Sequence, residues 1–441
     1  MTRPPFVTAS HVAAPIATST PVVPGPGAPG EPEVNGPRLL ELLRDLAAIG
    51  RDPAGGITRP GFSAALVEAT TAVAAAAQEA GLIARIDAAG NLLVSRNPVP
   101  ADRPVLLIGS HLDTVVNGGW LDGAYGVAAG LEVLRTLAEH RIGTGGFEVA
   151  VVAFANEEGA LFPQAFWGSL ALAGHLNALP ADPTGYHGQP LRPALAAAGG
   201  DLDALPQASW RASQLVGYLE MHIEQGPVLT GDGVAIGVVD AIVGRTLLQA
   251  ELTGVAGHAG TTPMNRRHDP LPAAAELVLF TAALPSGQHC QVATVGRLEV
   301  TPNSANTIAG TVRMTVDLRD ADPGRLDNAE RQTRTFTDDL AHRHGLNVTC
   351  TRLAASRPAR MDPGLQDQIA AAAADAGLSH LRLTSGAGHD AQIMATRTPT
   401  AMIFVPSVGG VSHVPDENTD DDDLIHGACV LLRTVRRLAA R

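Results

Sequence analysis

Two predominantly apolar runs constrain the fold of this chain more than any other feature. They are VLLIGS, over 105–110, and FEVAVVAFA, over 147–155. Continuous apolar runs of this length are typical of strands that helices cover on both faces, as in parallel α/β sheets. The segment between them, 123–139, has a helical pattern, and GYLEMHIEQG over 217–226 predicts a third strand. The sequence therefore predicts an α/β fold whose mixed, mostly parallel sheet is flanked by helices.

The pattern changes between residues 242 and 356. Alternating segments there predict four strands and two helices, an α+β sandwich, with one strand running through NTIAGTVRMTVDLR at 306–319. The alternation of strands and helices returns afterwards. We therefore predict a catalytic domain formed by 37–241 and 357–441, with the 242–356 domain inserted into it. Residues 1–36, rich in Pro, Ala and Gly, are expected to form a disordered arm.

Composition narrows the range of partners. The 441 residues carry 31 Lys and Arg against 44 Asp and Glu, a formal net charge of −13. Nucleic acids and anionic membranes bind basic surfaces, so we expect neither as a partner. No apolar segment approaches the ~18 residues of a membrane span. Three widely spaced cysteines without a CxxC pair favour a reducing compartment, and we expect a cytoplasmic protein.

Polar residues follow the first apolar run where the predicted strand ends. His111 and Asp113 come directly after it, and Asp122 lies in a glycine-rich loop 11 residues after His111. Ligands of open α/β sheets bind at the carboxyl ends of strands. Asp113 could orient the His111 imidazole or be a ligand itself. On this stretch alone, Asp122 could equally be a turn residue or the N-cap of the next helix.

Two adjacent carboxylates, Glu157 and Glu158, follow the second run. Like charges at the end of a buried strand are costly unless a cation neutralises them or one is protonated. A solvated loop pair is the alternative. His222 and His413 add two imidazoles at strand-end or loop positions. Together with Asp122 these residue types suit a pair of Zn²⁺ or Mn²⁺ sites.

Nine motifs in one order resemble the hydantoinase/carbamoylase branch of the M20 metallopeptidase-like superfamily. They are GSHLDTV, GGWLDGAYGV, NEEG, MHIEQGPVL, GVAGHAGTTPM, VATVGRLEVTPNSANTI, DLR, SGAGHDA and IFVPSVGGVSHVPDE. The branch contains N-carbamoyl-L-amino acid hydrolases, allantoate amidohydrolases and β-ureidopropionases. The short spacing from His111 to Asp122, and His222 where peptidase relatives tend to carry an acid, favour this branch over dipeptidases and aminoacylases.

The resemblance implies two divalent metal ions per subunit, Zn²⁺ first, with Mn²⁺, Co²⁺ or Ni²⁺ as alternatives. Asp122 would be shared between the ions, Glu157 would be the general base and Asp113 would orient a ligand imidazole. The implied ligand sets are His111, Asp122 and His222 for one ion, and Asp122, Glu158 and His413 for the other.

The resemblance also implies a substrate clamp, formed by Gln225, His258, Asn306, Arg319, Gly388 and His389. His258 would also steady an oxyanion, and Arg319 suits a carboxylate because its guanidinium binds in a bidentate way. The alternative for Arg319 is an ordinary strand-end arginine paired with a local Asp. The resemblance also implies a homodimer, in which the inserted 242–356 domain mediates dimerisation and can reach the partner's site.

The implied activity is hydrolysis of a small N-carbamoyl-L-amino acid to the amino acid, ammonia and carbon dioxide. Allantoate hydrolysis is the first alternative, because it uses the same machinery on another ureido carboxylate. A dipeptidase or aminoacylase is a second alternative. A non-catalytic binding relative is the third, but it would lack a metal ligand or the base, and here none is missing.

Overall fold

The computed structural model describes residues 32–98, 103–176, 179 and 183–440. Most of the arm predicted over 1–36 lies outside these residues. Within the described ranges, no helix combines the length and the apolar character needed to cross a bilayer.

The helices of the described residues are α1 (Gly36–Ala48), α2 (Ala64–Glu79), α3 (Ala124–Glu139), α4 (Trp167–Leu172), α5 (Leu191–Ala197), α6 (Val228–Asp232), α7 (Pro270–Ala283), α8 (Pro323–His344), α9 (Pro363–Asp375), α10 (Asp390–Met394) and α11 (Asp421–Ala439). The strands are β1 (Ile83–Ile86), β2 (Leu92–Ser95), β3 (Val105–His111), β4 (Glu148–Phe154), β5 (Leu215–Ile223), β6 (Ile236–Ile242), β7 (Gly244–Thr253), β8 (Gly257–His258), β9 (Val292–Thr301), β10 (Thr307–Ile308), β11 (Thr311–Asp320), β12 (Asn347–Ser356), β13 (Ala359–Arg360), β14 (His380–Ser385) and β15 (Thr400–Val405).

A large mixed sheet forms the centre of the molecule. Its strand order is β1, β2, β4, β3, β5, β15, β6 and β13, and β14 also pairs with β6. The four central strands β4, β3, β5 and β15 run parallel. Every residue of β3 and β4 is buried, because α3 packs on one face of the sheet while α4 and α10 cover the other. The predicted fold class is confirmed.

A second, antiparallel sheet has the strand order β12, β7, β11 and β9. Strand β7 alternates buried and half-buried residues, and helices α7 and α8 pack against this sheet. This alternation is typical of a sheet with one covered face. All four strands lie within the range 242–356, and the division of the chain into two domains stays a prediction.

The prediction of a single strand over 306–319 is wrong. The structure divides it into β10 and β11, because the amide of Gly310 donates to Thr301 and the chain turns there. Strand β10 then pairs with β8 in a separate two-stranded ribbon. Strand β6 was not predicted, because no turn signal separates its apolar run from the strand that follows. It joins the large sheet beside β15.

The parallel centre of the large sheet positions the polar residues. His111 is the last residue of β3, Glu157 follows β4, and His222 lies near the end of β5. His413 lies in the loop after β15. Since the four strands run in the same direction, these residues meet at one edge of the sheet.

Candidate metal centre

Two groups of ligand-type atoms meet around Asp122. His111 and His222 complete one group, and Glu158 and His413 complete the other, with all ligand atoms of a group within 4.8 Å of one another. Oδ1 of Asp122 lies 3.5 Å from Nε2 of His111 and 3.1 Å from Nε2 of His222. Its Oδ2 lies 3.0 Å from Nε2 of His413, which is 3.4 Å from Oε1 of Glu158. The structure thus brings the five predicted ligands together.

The orientation of two imidazoles tests whether this donor set fits a cation. Nδ1 of His111 lies 3.0 Å from the carbonyl oxygen of Asp113, and Nδ1 of His222 lies 2.9 Å from that of Ile223. A carbonyl oxygen only accepts, so each Nδ1 carries the hydrogen. In the neutral rings Nε2 is then an acceptor that faces the Asp122 carboxylate, and Nε2 of His222 also accepts the backbone N–H of Gly123 at 3.2 Å. Acceptors that face each other need a cation or a proton between them, so the residues fit a divalent metal ion.

The charges in the cluster shift one another's pKa. Burial alone would raise the pKa of Asp122, but hydrogen bonds from three imidazoles hold it well below its usual value. The hydrogen bond to Asp122 raises the pKa of His413 to about 9. Burial, with the charge of Asp122, raises the pKa of Glu158 to about 7. Glu158 and His413 therefore hold protons near neutral pH that a metal ion would displace, whereas Asp122 is ionised.

Glu157 belongs to neither group but lies beside the first. Its side chain is buried, and Oε2 lies 3.7 Å from Nε2 of His111. Burial raises its pKa well above the usual value; the charge of His111 opposes this shift and that of Glu158 adds to it. A buried carboxylate with a raised pKa, next to candidate metal ligands, suits a general base.

Asp113 is completely buried and is absent from both ligand groups. Its carboxylate accepts hydrogen bonds from the backbone N–H groups of Glu157, at 3.0 Å, and Glu158, at 3.1 Å. Its contact with His111 at hydrogen-bond distance is made by its backbone carbonyl, since Oδ1 lies 3.8 Å from Nδ1 of the ring. Asp113 thus positions His111, Glu157 and Glu158. These contacts fit the predicted role of orienting a ligand imidazole and not the alternative role of metal ligand.

Left-handed backbone occurs at several non-glycine residues of the loops around the site, among them Asn156 (φ 52°), Gln225 (φ 60°) and His413 (φ 60°). Such conformations cost about 1–3 kcal/mol each and cluster at functional sites. At Gly123 (φ +64°), an added Cβ would lie 2.4 Å from Nδ1 of His111, so glycine is required where the chain turns into α3.

Gln225 touches the ligand cluster directly. Its Nε2 donates to Oδ2 of Asp122 at 2.9 Å. Its Oε1 is buried and has no hydrogen-bond partner among the described residues. The amide therefore offers an acceptor at the edge of the cluster, as its predicted substrate contact requires.

His389 lies behind His222. The centroids of the two rings are 4.6 Å apart, and Nε2 of His389 lies 3.0 Å from Oγ of Ser385. Burial, with the charge of His222, holds the pKa of His389 well below its usual value, so the ring is neutral. Its neighbour Gly388 is exposed. The structure therefore places His389 against a ligand imidazole and Gly388 at the surface of the same loop.

Arg319 pairs with a nearby aspartate, which was the alternative to its predicted role in the substrate clamp. Its Nε and Nη2 donate to the two carboxylate oxygens of Asp317, at 3.1 and 3.2 Å. Arg245, which was not predicted, also donates to Asp317. Nη1 of Arg319 donates to the carbonyl of Gly386 at 2.7 Å, which ties the small sheet to the loop of Gly388. These contacts use three of the five guanidinium N–H donors and leave two.

His258 and Asn306 lie together on the ribbon of β8 and β10. Both side chains are exposed, and the amide of Ala259 donates to the carbonyl of Asn306. His258 accepts hydrogen bonds from two backbone amides of its own loop. Within the described ranges, no hydrogen bond or ion pair joins either residue to the five candidate ligands. A single chain thus does not bring them to the cluster.

Several buried charged residues were missed, and two of them hold loops next to the ligand cluster. Glu417, 1% exposed, accepts hydrogen bonds from the backbone of Leu121 and Asp122. Arg59, completely buried, donates from Nε to the carbonyl of Leu112 at 2.6 Å. Glu417 closes the last of the nine motifs, four residues after His413, and that position was the available signal. No local pattern indicates that Arg59 is buried.

Comparison with known proteins identifies the family of this chain. Residues 107–437 match the family described as Peptidase family M20/M25/M40. The N-carbamoyl-L-amino acid amidohydrolase of Geobacillus stearothermophilus is 38% identical over 406 residues, which cover 92% of this chain and 99% of that protein. The allantoate amidohydrolase of Escherichia coli (strain K12) is 36% identical over 410 residues, which cover 91% and 97%. An amidase of the hydantoinase/carbamoylase family from Burkholderia multivorans has a solved structure with a TM-score of 0.86 and 34% identity, covering 93% of this chain and 99% of that one.

Proposed function

The chain belongs to peptidase family M20/M25/M40 and to its hydantoinase/carbamoylase group, and on this premise we propose that it is a metal-dependent amidohydrolase. Its substrate is an N-carbamoyl-L-amino acid, whose carbamoyl C–N bonds are cleaved with one water to give the amino acid, ammonia and carbon dioxide. The observation that carries this proposal is the carboxylate of Asp122, which belongs to two adjacent ligand groups.

His111, Asp122 and His222 would hold one divalent ion, and Glu158 and His413 would complete the ligand set of the other. Bound there, a pair of such ions lowers the pKa of a water towards ~7 and polarises a carbonyl oxygen. The side chain of His413 is 49% exposed, whereas those of His111 and His222 are buried. The second group therefore faces solvent, and the substrate approaches from that side.

Glu157 moves the proton. Its carboxylate takes a proton from the attacking water and gives it to the leaving nitrogen. The raised pKa suits both steps, because burial makes this carboxylate a stronger base than an exposed one. The backbone hydrogen bond from Glu157 to Asp113 holds the strand end that carries this carboxylate.

The substrate carboxylate is held by Arg319, whose two remaining N–H donors can form a bidentate pair. Gln225 offers its unpartnered Oε1 to the ureido N–H groups. Gly388 and His389 lie in the loop that Arg319 holds through its hydrogen bond to the carbonyl of Gly386. The clamp thus recognises a small molecule with a ureido group at one end and a carboxylate at the other.

His258 and Asn306 complete the clamp from a partner subunit. Both are exposed on the small ribbon and contact no candidate ligand within the described part of their own chain. In a homodimer the ribbon of one protomer would reach the other protomer's cluster, where His258 donates to the developing oxyanion.

Allantoate is the second candidate substrate. The Escherichia coli allantoate amidohydrolase is 36% identical to this chain, close to the 38% of the carbamoylase relative. Allantoate also combines ureido groups with a carboxylate, so the same ligand cluster and clamp would serve it.

One assay separates these candidates. Ammonia release is measured with N-carbamoyl-L-methionine and allantoate, and amino-acid release with a dipeptide, before and after treatment with a chelator. We expect release from the N-carbamoyl compound, loss of activity on chelation and recovery on adding Zn²⁺ or Mn²⁺. Release from allantoate alone would replace the proposed substrate with the second candidate. Activity that survives complete metal removal would overturn the proposal.

A further inference from the structure

The geometry points to Glu417 as a positioning residue that holds the loops of Asp122 and His413 together at the second ligand group; this inference rests on the proposed function. Oε1 of Glu417 accepts hydrogen bonds from the backbone N–H groups of Leu121 and Asp122, each at 3.0 Å. Its Oε2 accepts from Oγ of Ser412 at 2.6 Å and from the backbone N–H of His413 at 3.3 Å. Each of the two oxygens of this carboxylate therefore holds a different loop.

The two loops carry ligands and are far apart in the sequence. Glu417 and Asp122 are separated by 295 positions. Asp122 is common to both ligand groups, and His413 belongs to the second only. His111 and His222, in contrast, are held by strands β3 and β5 and have no hydrogen bond to Glu417 among the described residues. Loss of the Glu417 contacts should therefore affect the His413 group more than the group of His111 and His222.

The loop before Asp122 packs closely against the carboxylate of Glu417. A Cβ added at Gly119 would lie 2.1 Å from Cδ and Oε1 of Glu417, so only glycine lets the backbone pass there. This close approach is independent of the four hydrogen bonds. It indicates that the loop is shaped to Glu417 and not merely adjacent to it.

The chemistry of the four contacts requires a carboxylate at position 417. All four groups donate to Glu417, and an ionised carboxylate is an acceptor at both oxygens. A glutamine of the same shape would face one loop with N–H donors, so a backbone amide would lose its partner. Residues that orient metal ligands typically change metal affinity about 10- to 100-fold when they are replaced.

The experiment compares Zn²⁺ binding to the wild-type chain and to Glu417→Gln by titration against a chromophoric chelator, with Co²⁺ absorption spectra as a second readout. We expect two ions in the wild type. In Glu417→Gln, one of the two ions, that of the His413 group, should lose about 10- to 100-fold in affinity, and the Co²⁺ spectrum of that site should change. The other ion should retain its affinity to within a few-fold.

Asp320→Asn is the matched control. Asp320 is also a completely buried carboxylate that accepts a backbone N–H, that of Asp322, and an Arg325 side chain. It lies at the end of β11, away from both ligand loops. We expect its replacement to lower the thermal midpoint of the metal-free protein and to leave both ion affinities unchanged, which separates positioning from general stability.

The outcomes are distinguishable. If the wild type binds no divalent ion, the proposed function fails. If the wild type binds two ions and Glu417→Gln binds both with wild-type affinity, the role of Glu417 is overturned while the proposed function stands. Should Glu417→Gln show no cooperative thermal transition, Glu417→Asp keeps the negative charge but is one methylene shorter and cannot hold both loops. It should then weaken the same ion, and unchanged affinity in that variant overturns the inference.

Discussion

The carboxylate of Asp113 accepts the backbone N–H of Glu157 at 3.0 Å, while the backbone carbonyl of Asp113 receives Nδ1 of His111 at the same distance. One buried residue thus positions a candidate ligand and the candidate base together. The distance between His111 and Glu157 is therefore set by short hydrogen bonds between the ends of two adjacent parallel strands, and not by flexible side chains.

Glu157→Gln should keep both ions and lose turnover. The carboxamide has nearly the same shape but cannot accept a proton, and general acid–base catalysis contributes about 10²- to 10⁴-fold to a rate. We expect kcat to fall by that factor while the metal content, measured by elemental analysis, stays at the wild-type ratio. Glu251→Gln, at an exposed residue paired with Arg313, is the control. Wild-type kcat in Glu157→Gln would remove this residue from the mechanism.

Asp122→Asn should weaken both ion sites, whereas His413→Ala should weaken one. The reason is that both oxygens of Asp122 face ligand imidazoles, while His413 belongs to the second group only. Ion stoichiometry after gel filtration in metal-free buffer measures the difference. Equal losses in the two variants would contradict a shared carboxylate.

Metal affinity should rise with pH. In the metal-free cluster the pKa of His413 is about 9 and that of Glu158 is about 7. Below these values both groups carry protons that compete with the ion, so affinity falls as pH falls and binding releases protons. Calorimetric titrations between about pH 6 and about pH 9, in buffers of different ionisation enthalpy, count those protons. A pH-independent affinity without proton release would refute this reading of the cluster.

Arg319→Lys should raise KM for a carboxylate substrate. Lysine cannot reproduce the fork of donors, and a hydrogen bond to a charged group contributes about 1.5–3 kcal/mol, which corresponds to roughly 10- to 100-fold in binding. Arg313→Lys, at an exposed pair with Glu251, is the control. We expect no change in KM for an N-carbamoyl amine that has no carboxylate. An equal effect on both substrates would show that Arg319 acts on the fold and not on the carboxylate.

Two inactive variants should complement each other if His258 acts across a dimer interface. In a heterodimer of Glu157→Gln and His258→Ala chains, one site combines an intact Glu157 with the intact His258 of the other protomer. Random mixing forms such heterodimers in half of the molecules, so about a quarter of wild-type activity should return. If His258 serves its own subunit, mixing restores nothing, and the cross-subunit proposal fails.

Local patterns in the sequence were sufficient for the fold class and for the list of candidate ligands. Buried parallel strands such as β3 and β4 leave continuous apolar runs, and polar residues directly after such runs lie at the ligand-binding edge of the sheet. His111, Glu158 and His222 were predicted in this way, whereas Asp122 and His413 lie further along their loops and were added by residue type. The family resemblance divided the five residues into two sets, and the structure brings them together. Their role as ligands stays a prediction.

The tertiary structure decided which atoms meet. Neither the backbone contact of Asp113 with His111, nor the pairing of Arg319 with both Asp317 and Gly386, follows from residue spacing. Glu417 lies 295 positions from the amide of Asp122 that it accepts, and only the folded loops bring the two together. The physical reason is that periodicity along the chain reports which residues are buried, whereas loop paths and strand register determine which buried groups become neighbours.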